Sequence, residues 1–338
     1  KWGPALHSIV ISQKAPTYPQ FGFEWKPNRR LRFIYTHADL FSGIEDTLQT
    51  QSAGLLGERV VHLKRYLATH RAEFSLTPLI TLGLTESVVY GGRGMETMYL
   101  MPFVLYFSAE HYLGDRDNVL MSADLAVNLK PDLKLYAEFL VDEWRPQETF
   151  KETNRNWFAW QGGIDWQSIL APNDRFVLEA TWTDHRIYRH RYSANEYYSH
   201  EYPVGHWIGP HAQALYAAYD FPFWGSHFMV SFNYAKRGEL TKPMLEDQYS
   251  SMSYDRFSGK TETLQTINLT IDRKVLPKAL PSLWVEIGVS HIRWSNAGFN
   301  PFKPEANELG DVTKTSYTLA FYYNFHIPGY DVSFLSPS

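Results

Sequence analysis

The sequence contains no cysteine in 338 residues, which excludes disulfide bonds, thiol catalysis and thiolate metal sites. It also lacks any apolar run near the roughly 20 residues that a transmembrane helix needs, so a helical membrane protein is excluded. The formal net charge of -4 is too small to indicate a nucleic-acid partner. These absences leave a transmembrane β-barrel open, because every second residue of its strands can be polar.

What the sequence has instead is strict alternation and many aromatic residues, which make up 16% of the chain. In the stretch LKLYAEFLVDE, Leu133, Ala137 and Phe139 alternate with Lys134 and Glu138. Similar stretches occur near 119–130, 175–185, 266–272 and 316–326, and their length of about ten residues is that of a tilted membrane-crossing strand.

Aromatic side chains gather near the ends of these stretches, as two girdles at the membrane interfaces would require. The predicted girdle residues are Trp144, Trp157, Trp160, Trp166, Trp182, Trp224, Trp284, Trp294, Tyr322 and Tyr323.

Short and long connections alternate along the chain. The short ones lie near 27–30, 76–78, 130–132, 171–174, 222–225 and 275–281, and the long ones near 13–19, 41–57, 91–117, 145–156, 188–211, 239–261 and 295–314. This asymmetry predicts an all-β fold, an antiparallel transmembrane β-barrel of about 14 strands with short periplasmic turns and long extracellular loops.

One long connection departs from the alternation. Its sequence, METMYLMPFVLYFSAEHYLGD, has the apolar content of a buried element. We expect residues 95–117 to form a loop with a short helix or turn, folded into or over the barrel mouth.

Four stretches resemble the Wzi family, the outer-membrane proteins of capsule assembly. They are KWGPALHSIVISQKAPTYP, with an alternating strand before its S-x-x-A-P turn, LATHRAEFSLTPLITLGLTESVVYGG, EHYLGDRDNVLMSADLAVNLKPDLKLYAEFLVDE and YPVGHWIGPHAQALY. Ala5 and His211 depart from the family pattern, in which a glycine and an acidic residue are usual. The resemblance implies an 18-stranded barrel, a periplasmic helical piece near the start, and a surface lectin for capsular polysaccharide.

Residues 1–338 are therefore expected to form a single outer-membrane barrel domain. Because about 14 strands are counted against the 18 that the resemblance implies, we expect an N-terminal part of the full-length protein, with up to four strands, upstream of Lys1. The alternative is a smaller, divergent barrel.

The polar face of the predicted strands carries charges of both signs, which predicts ion pairs across the strands of a wet or plugged lumen. The predicted lumen-facing residues are Arg71, Glu73, Glu86, Asp124, Lys134, Glu138, Asp142, Arg175, Glu179 and Asp272. A ligand track along the same wall is the alternative. Glu138 and Asp142 would be about 13 Å apart on one strand, farther than the roughly 5 to 9 Å of a glycosidase pair.

The long connection HRIYRHRYSANEYYSHEYPVGHWIGPHA is the second candidate site, because aromatic rings can stack on sugars and cations can bind acidic groups. The predicted polysaccharide-binding residues are Tyr188, Arg189, Arg191, Tyr192, Tyr197, Tyr198 and Trp207. The alternative is a tyrosine-rich loop that packs on itself and on the girdle.

Catalytic and metal signatures are weak. The pairs His185/His190 and His206/His211 come without a nearby carboxylate set, so no metal is predicted. No Gly-x-Ser-x-Gly elbow is present, and YGGRGMET lacks the Gly-Lys-Ser/Thr end of a phosphate loop. We therefore predict no cofactor, no catalytic residues and no enzyme activity.

Three hypotheses for function follow. The first is a non-catalytic barrel of the bacterial outer membrane that binds or anchors capsular or surface polysaccharide at the cell exterior. The second is a channel or a structural subunit of a larger outer-membrane complex, and the third is a membrane-embedded hydrolase. The expected partners are outer-membrane lipid or lipopolysaccharide, acidic surface polysaccharide and other outer-membrane proteins, with no nucleic acid.

Overall fold

A computed structural model describes residues 2–52, 54, 57–143, 147, 151, 156–240, 244, 256–257, 259–275, 283–298 and 310–323. None of the helices within these ranges has the length and apolar character that a membrane crossing requires. The predicted girdle residue Trp144, the end of the last predicted strand at 324–326, and most of the connections 145–156, 239–261 and 295–314 lie outside the described residues.

The described residues form seventeen strands and one α-helix. They are β1 (Gln20–Asn28), β2 (Leu31–Glu45), β3 (Gln51–Ser52), β4 (Glu58–Arg59), β5 (His62–Ser75), β6 (Ile80–Gly91), α1 (Tyr106–Tyr112), β7 (Asn118–Lys130), β8 (Leu133–Glu143), β9 (Trp157–Gln167), β10 (Arg175–Thr183), β11 (Tyr198–Ser199), β12 (Tyr202–Pro203), β13 (Ala212–Phe223), β14 (Ser226–Gly238), β15 (Thr261–Lys274), β16 (Leu283–Ser295) and β17 (Val312–Tyr323). Two single turns of 3-10 helix lie at Thr97–Leu100 and Ser193–Asn195.

Thirteen of the strands form one antiparallel sheet in chain order, β1-β2-β5-β6-β7-β8-β9-β10-β13-β14-β15-β16-β17. The remaining strands form two small hairpins, β3-β4 and β11-β12, within the long connections. The predicted all-β fold with alternating short and long connections is confirmed. Within the described residues the sheet has one strand fewer than the fourteen or so predicted.

The difference lies at the start of the chain. The stretch before Gln13 was predicted to be a strand, and this prediction is wrong, because residues 2–19 contain no strand. Trp2–Lys14, which we call the N-terminal segment, follows a series of bends instead. Ile9, Val10 and Ile11 pack in one apolar cluster with Leu67 of β5 and Leu140 of β8. The pattern before Gln13 therefore belongs to an irregular segment, in which all of residues 8–12 are buried, and not to a strand.

The face of the sheet that contacts the N-terminal segment is the lumen face, and the opposite face is the outer wall. On β8 the side chain of Glu138 is 2% exposed on the lumen face, and the neighbouring Phe139 is 42% exposed on the outer wall. The register continues the outer row from Leu84 through Ala123 and Phe139 to Trp160. Leu133, Ala137 and Phe139, which alternate with the predicted lumen-facing Lys134 and Glu138, therefore lie on the outer wall.

The aromatic residues are divided between the two faces. Trp160 and Trp182 stack on the outer wall with ring centroids 6.4 Å apart. Trp157 is fully buried, and Trp294 lines a pocket with Trp207 on the lumen side. The girdle prediction is therefore wrong for Trp157 and Trp294.

The predicted plug segment 95–117 lies on the opposite side of the wall from the one expected. Tyr99, Tyr106 and Ala109 form an apolar cluster with Tyr66 of β5 and Val88 of β6. Val88 of β6 pairs with Val119 of β7. The preceding residue, Ser87, faces the lumen, so Val88 faces outward and this cluster covers the outer wall. The expectation that the segment enters or covers the mouth is wrong, because apolar content alone does not tell which side of a sheet a loop packs on.

Candidate functional site

Two carboxylates of the lumen face hold the N-terminal segment. Glu138 accepts hydrogen bonds from the backbone N–H groups of Ala5 at 3.2 Å and Ile9 at 3.1 Å. Glu179 accepts from the N–H groups of Leu6 and His7 and contacts His7 Nδ1 at 2.8 Å. An irregular segment exposes backbone donors that must be satisfied when buried, and these strand-borne carboxylates satisfy them.

The connection between β10 and β13, residues 184–211, folds into the lumen from the other end and closes over this segment. The hydroxyl of Tyr188 donates to the carbonyl oxygen of Ile9 at 2.5 Å, and that of Tyr197 donates to Val10 at 3.0 Å. Asp142 on β8 accepts from the N–H of Tyr188 at 2.6 Å. The N-terminal segment and residues 184–211 are therefore two layers of irregular chain that fill the lumen beside β5 to β10, and together we call them the plug.

Of the nine lumen-facing residues other than Asp272, eight lie on the lumen face. Arg71 pairs with Asp124 and, at 3.2 Å, with Glu73, and Arg175 pairs with Asp165 at 2.8 Å. The ammonium of Lys134 donates to the carbonyl oxygen of Pro4 at 3.3 Å. Glu138, Asp142 and Glu179 bind the plug as described above. Asp272, on β15, contacts His227 at 3.4 Å.

Glu86 is the ninth, and its assignment to the lumen is wrong. It pairs in register with His70, and the next residue pair, Thr85 with Arg71, faces the lumen. The Glu86 carboxylate lies 3.0 Å from His70 Nε2 and accepts the first two N–H groups of α1, from Tyr106 at 2.8 Å and Phe107 at 2.7 Å. It caps the outer-wall helix. The alternation of Leu82, Leu84 and Glu86 in the sequence already carried this signal.

On the lumen face, two polar side chains reach across an intervening strand, and in both cases a glycine of that strand leaves the space. A Cβ at Gly83 of β6 would lie 2.2 Å from the Arg71 guanidinium and 2.4 Å from an Asp124 carboxylate oxygen. Arg71 on β5 thus reaches Asp124 on β7 over the bare backbone of β6. Gly163 of β9 likewise lets Tyr136 cross to Glu179, whose carboxylate accepts from the tyrosine hydroxyl at 2.6 Å.

The predicted sugar-binding residues differ in how deeply they are buried. Tyr188 and Tyr197 are fully buried and Tyr198 is 8% exposed, so their rings pack within the plug. Arg189 pairs with Glu196 at 2.8 Å. Tyr192 is 49% exposed, with the Arg191 guanidinium 5.1 Å from its ring centroid. Three of the seven predicted residues are thus buried in the plug, whereas Arg191 and Tyr192 are exposed and Trp207 is partly exposed.

Trp207 forms one wall of a pocket on the lumen side, which we call the mouth pocket. Its volume is about 240 Å³ and it is also lined by Ile208, Leu264 and Trp294. Glu262 accepts from Arg237 at 2.8 Å and from the Trp294 indole N–H at 2.7 Å, which fixes both side chains. The pocket thus combines two indole rings with an oriented ion pair near the long-loop end of the strands. The sequence predicted Trp294 to lie in a girdle. Every second residue of a strand faces the same side, so the alternation of β16 already placed Trp294 on the same face as Ser290, which lines the lumen-side cavity.

A larger cavity of about 540 Å³ lies on the side of the N-terminal segment away from the plugged half. Its lining combines polar side chains with apolar ones and includes Lys14, Asp220, Asn268 and Glu286 together with Leu6, Val177 and Met229. The Lys14 ammonium also lies 5.4 Å from the ring centroid of Trp207. Lys14 therefore borders both the mouth pocket and the larger cavity.

One group of side chains in the described ranges could in geometry hold a cation. Ligating atoms of Glu110, His111 and Asp115 lie within 4.8 Å of one another. Two of the three are exposed, and burial raises the pKa of the Glu110 carboxyl to about 8, so it is largely protonated at neutral pH. We assign no metal to this group.

Buried imidazoles make the lumen connection sensitive to acid. Burial lowers the pKa of His185 to about 3 and of His190 and His211 to about 4. An unfolded imidazole takes up its proton near pH 6.5. These three groups therefore contribute stability that is complete above that pH and is lost as the pH falls toward 4.

We expect residues 184–211 to loosen between about pH 6.5 and pH 4. The loss for each imidazole is on the order of 3 kcal/mol at pH 4. Hydrogen exchange of peptides from this connection at pH 7, 5.5 and 4, corrected for the intrinsic rate, measures it. The strand peptides of β13 and β14 are the internal control. Equal protection at all three pH values would contradict the prediction.

The sequence profile of the family described as capsule assembly protein Wzi matches residues 21–298. The chain belongs to the Wzi capsule assembly family. The profile covers β1 to β16, so the lumen carboxylates, the plug and the mouth pocket all lie within or against the matched region. As in this family, the chain is an outer-membrane protein with the fold of an antiparallel β-barrel.

Among solved structures, the chain is similar to Wzi of Escherichia coli, described as an outer-membrane protein involved in group 1 capsule assembly and a carbohydrate-binding β-barrel. The identity is 18% and the TM-score 0.54, over 87% of this chain and 62% of the E. coli chain. The chain thus spans less than two thirds of that relative.

Two further structures show a weaker likeness. OprD of Pseudomonas aeruginosa is 14% identical, with a TM-score of 0.45 over 95% of this chain and 74% of that one. OccAB3 of Acinetobacter baumannii is 10% identical, with a TM-score of 0.40 over 93% and 70%. A search of curated proteins finds no match.

Proposed function

We propose that this Wzi-family barrel is a non-catalytic protein that holds an acidic surface polysaccharide at the outer end of its lumen. The mouth pocket is the observation that carries the proposal, because Trp207 and Trp294 offer indole faces beside the Arg237–Glu262 pair. The Lys14 ammonium, 5.4 Å from the ring centroid of Trp207, adds a positive charge beside the pocket. The E. coli Wzi structure is described as carbohydrate-binding, which supports a sugar as the ligand.

The size of the pocket fits a part of a polymer. Its volume of about 240 Å³ is below the roughly 300–1,000 Å³ of sites that enclose a drug-sized molecule. We therefore propose that one or two sugar units enter it while the rest of the chain lies over the exposed rings of Tyr192 and Tyr202. Arg191, held over Tyr192, would contact acidic groups there.

A non-catalytic role fits the use of the lumen carboxylates. Glu138 and Glu179 each accept two or more backbone N–H groups of the N-terminal segment. Carboxylate oxygens that already accept these backbone hydrogen bonds are not available to transfer a proton to or from a glycosidic bond. A membrane-embedded hydrolase is therefore the least supported of the three hypotheses.

Replacing Trp207 by alanine is expected to weaken binding of an acidic polysaccharide about tenfold, and Trp294→Ala similarly, because interface tryptophans commonly contribute 1–2 kcal/mol or more. Binding of purified barrel to uronate-rich and neutral polysaccharides, by titration calorimetry, measures the change. Trp160→Ala on the outer wall is the matched control and should bind like the wild type. Unchanged affinity in both pocket variants would refute the site, and no binding to any acidic polysaccharide would refute the function.

Passage of small hydrophilic solutes is the second candidate, favoured by the cavity of about 540 Å³ beside the plug, whose lining includes the charged residues Lys14, Asp220 and Glu286. It predicts stable conductance of the wild-type barrel in planar bilayers.

We also propose that residues 1–338 form one barrel domain, since thirteen strands pair in chain order. Lipid or lipopolysaccharide would contact the outer wall, and other outer-membrane proteins are further proposed partners.

A further inference from the structure

The connection between β6 and β7 runs down the outer wall and returns. At the long-loop end, Arg93 pairs with Asp117 at 2.6 Å and ties the two arms together. Lower down, the Tyr35 hydroxyl donates to the carbonyl oxygen of Tyr99 at 3.1 Å. At its lowest point the ring of Phe103 lies 4.8 Å from that of Phe33, two residues above the start of β2 at the short-turn end. The connection therefore covers most of the height of the wall.

The wall beneath this connection carries polar groups beside its apolar cluster. His37 of β2 contacts the Tyr90 hydroxyl at 2.7 Å, and Glu86 of β6 contacts His70 of β5 at 3.0 Å. All four residues are at least 91% buried. Elsewhere on the same face, where no loop covers the wall, the exposed residues are apolar, such as Leu84 of β6 and Phe139 of β8. The connection thus removes a polar stripe of the outer wall from its surroundings.

Five backbone N–H groups of the descending segment donate hydrogen bonds within the protein. The N–H groups of Tyr99, Met101 and Val104 donate to carbonyl oxygens three residues earlier, at 3.2–3.3 Å. Those of Tyr106 and Phe107 donate to Glu86, and Pro102 has none. Irregular backbone exposed to lipid is unusual because each unsatisfied polar group is costly in hydrocarbon, so insertion of this segment depends on these hydrogen bonds.

The surface that the segment turns away from the wall is apolar. Met101, Phe103, Leu105 and Phe107 are 46%, 66%, 65% and 49% exposed. Nearer the long-loop end the exposed residues become Ser108, His111 and Tyr112, and then Asp115 and Arg116. The order from apolar through tyrosine to charged side chains follows the height along the wall, as it does across a membrane interface.

We propose that residues 97–107 are inserted in the hydrocarbon layer of the outer membrane, with Met101, Phe103, Leu105 and Phe107 against lipid acyl chains. The patch is continuous with the exposed outer row of Leu84 and Phe139, which faces lipid in a barrel of this fold. Its four side chains offer no hydrogen-bonding or charged group that would orient a protein partner. Here the bilayer contacts a folded loop, and the strands behind the loop are free to carry polar residues.

The absence of native cysteine allows a direct test. Leu105→Cys, labelled with an environment-sensitive fluorophore and reconstituted in phosphatidylcholine vesicles, should be quenched strongly by doxyl groups on the acyl chains. Quenching by aqueous iodide should be several-fold weaker than for Leu48→Cys, at a 95% exposed position of the connection between β2 and β5. Phe139→Cys on the bare wall is the lipid-facing control.

Two results would overturn the proposal. Iodide quenching of Leu105→Cys equal to that of Leu48→Cys would place the segment in water. Protection from both quenchers, with fluorescence transfer between labelled copies, would place a second copy of the chain on the patch.

Glu86→Leu provides an independent readout, since it removes both acceptors of the α1 N–H groups. The label at position 105 should then become more mobile and more accessible to iodide, whereas Glu86→Gln keeps one acceptor and should change it less. Heat-dependent migration of each variant in gels reports whether the barrel has folded.

Discussion

Replacing Glu138 and Glu179 together by alanine is expected to release the N-terminal segment from the lumen. The change removes the acceptors of four backbone N–H groups, those of Ala5, Leu6, His7 and Ile9. A hydrogen bond to a charged group contributes about 1.5–3 kcal/mol, so the combined loss is several kcal/mol. The two tyrosine hydroxyls that remain on Ile9 and Val10 offset only part of it.

Ile9→Cys reports the release, because Ile9 is fully buried and the chain has no other thiol. In the otherwise native chain we expect no reaction with a bulky maleimide, and in the double alanine variant complete labelling. Conductance in planar bilayers should rise in the same variant as the plugged half of the lumen opens. Glu138→Gln with Glu179→Gln is the matched control, since each amide keeps one acceptor oxygen. Protection of Ile9→Cys in the double alanine variant would show that the apolar cluster alone retains the segment.

Arg71→Leu is expected to destabilise the barrel by about 3–5 kcal/mol, because it leaves the carboxylate of Asp124 buried without its partner. Arg71 is 2% and Asp124 6% exposed, so water does not replace the lost contact. Urea unfolding in detergent micelles, followed by tryptophan fluorescence, measures the change. Replacing both partners, as Arg71→Leu with Asp124→Leu, should recover most of the loss, since two apolar side chains need no counter-charge.

Arg175→Leu is the control for this prediction. Its side chain is 42% exposed in the pair with Asp165, and pairs of this kind contribute about 0–1 kcal/mol. Gly83→Ala tests the crossing by another route, because the added methyl group would occupy the path of the Arg71 side chain. A loss for Arg71→Leu no larger than for Arg175→Leu would contradict the view that Arg71 and Asp124 form a buried unit.

The sequence was sufficient for the sheet because local physics decides it. A strand with lipid on one side and polar surroundings on the other must alternate, and the rows of β8 and β17 show this in the exposed Phe139 and Tyr317. Short connections tie neighbouring strands into register, so the turns at 76–78 and 130–132 were predictable as well. Eight of nine lumen-facing positions followed from the same alternation, and Glu86 could have been assigned correctly from it.

Only the tertiary structure decided what fills and covers the barrel. Alternation before Gln13 predicted a strand and apolar content in residues 95–117 predicted a buried element, but neither pattern tells on which side of a sheet a segment packs. The N-terminal segment lies in the lumen because Glu138 and Glu179 satisfy its backbone there. The 95–117 connection lies on the outer wall because Glu86 caps α1 there. Likewise, Trp207 and Trp294 form one pocket because the lumen brings together residues 87 positions apart.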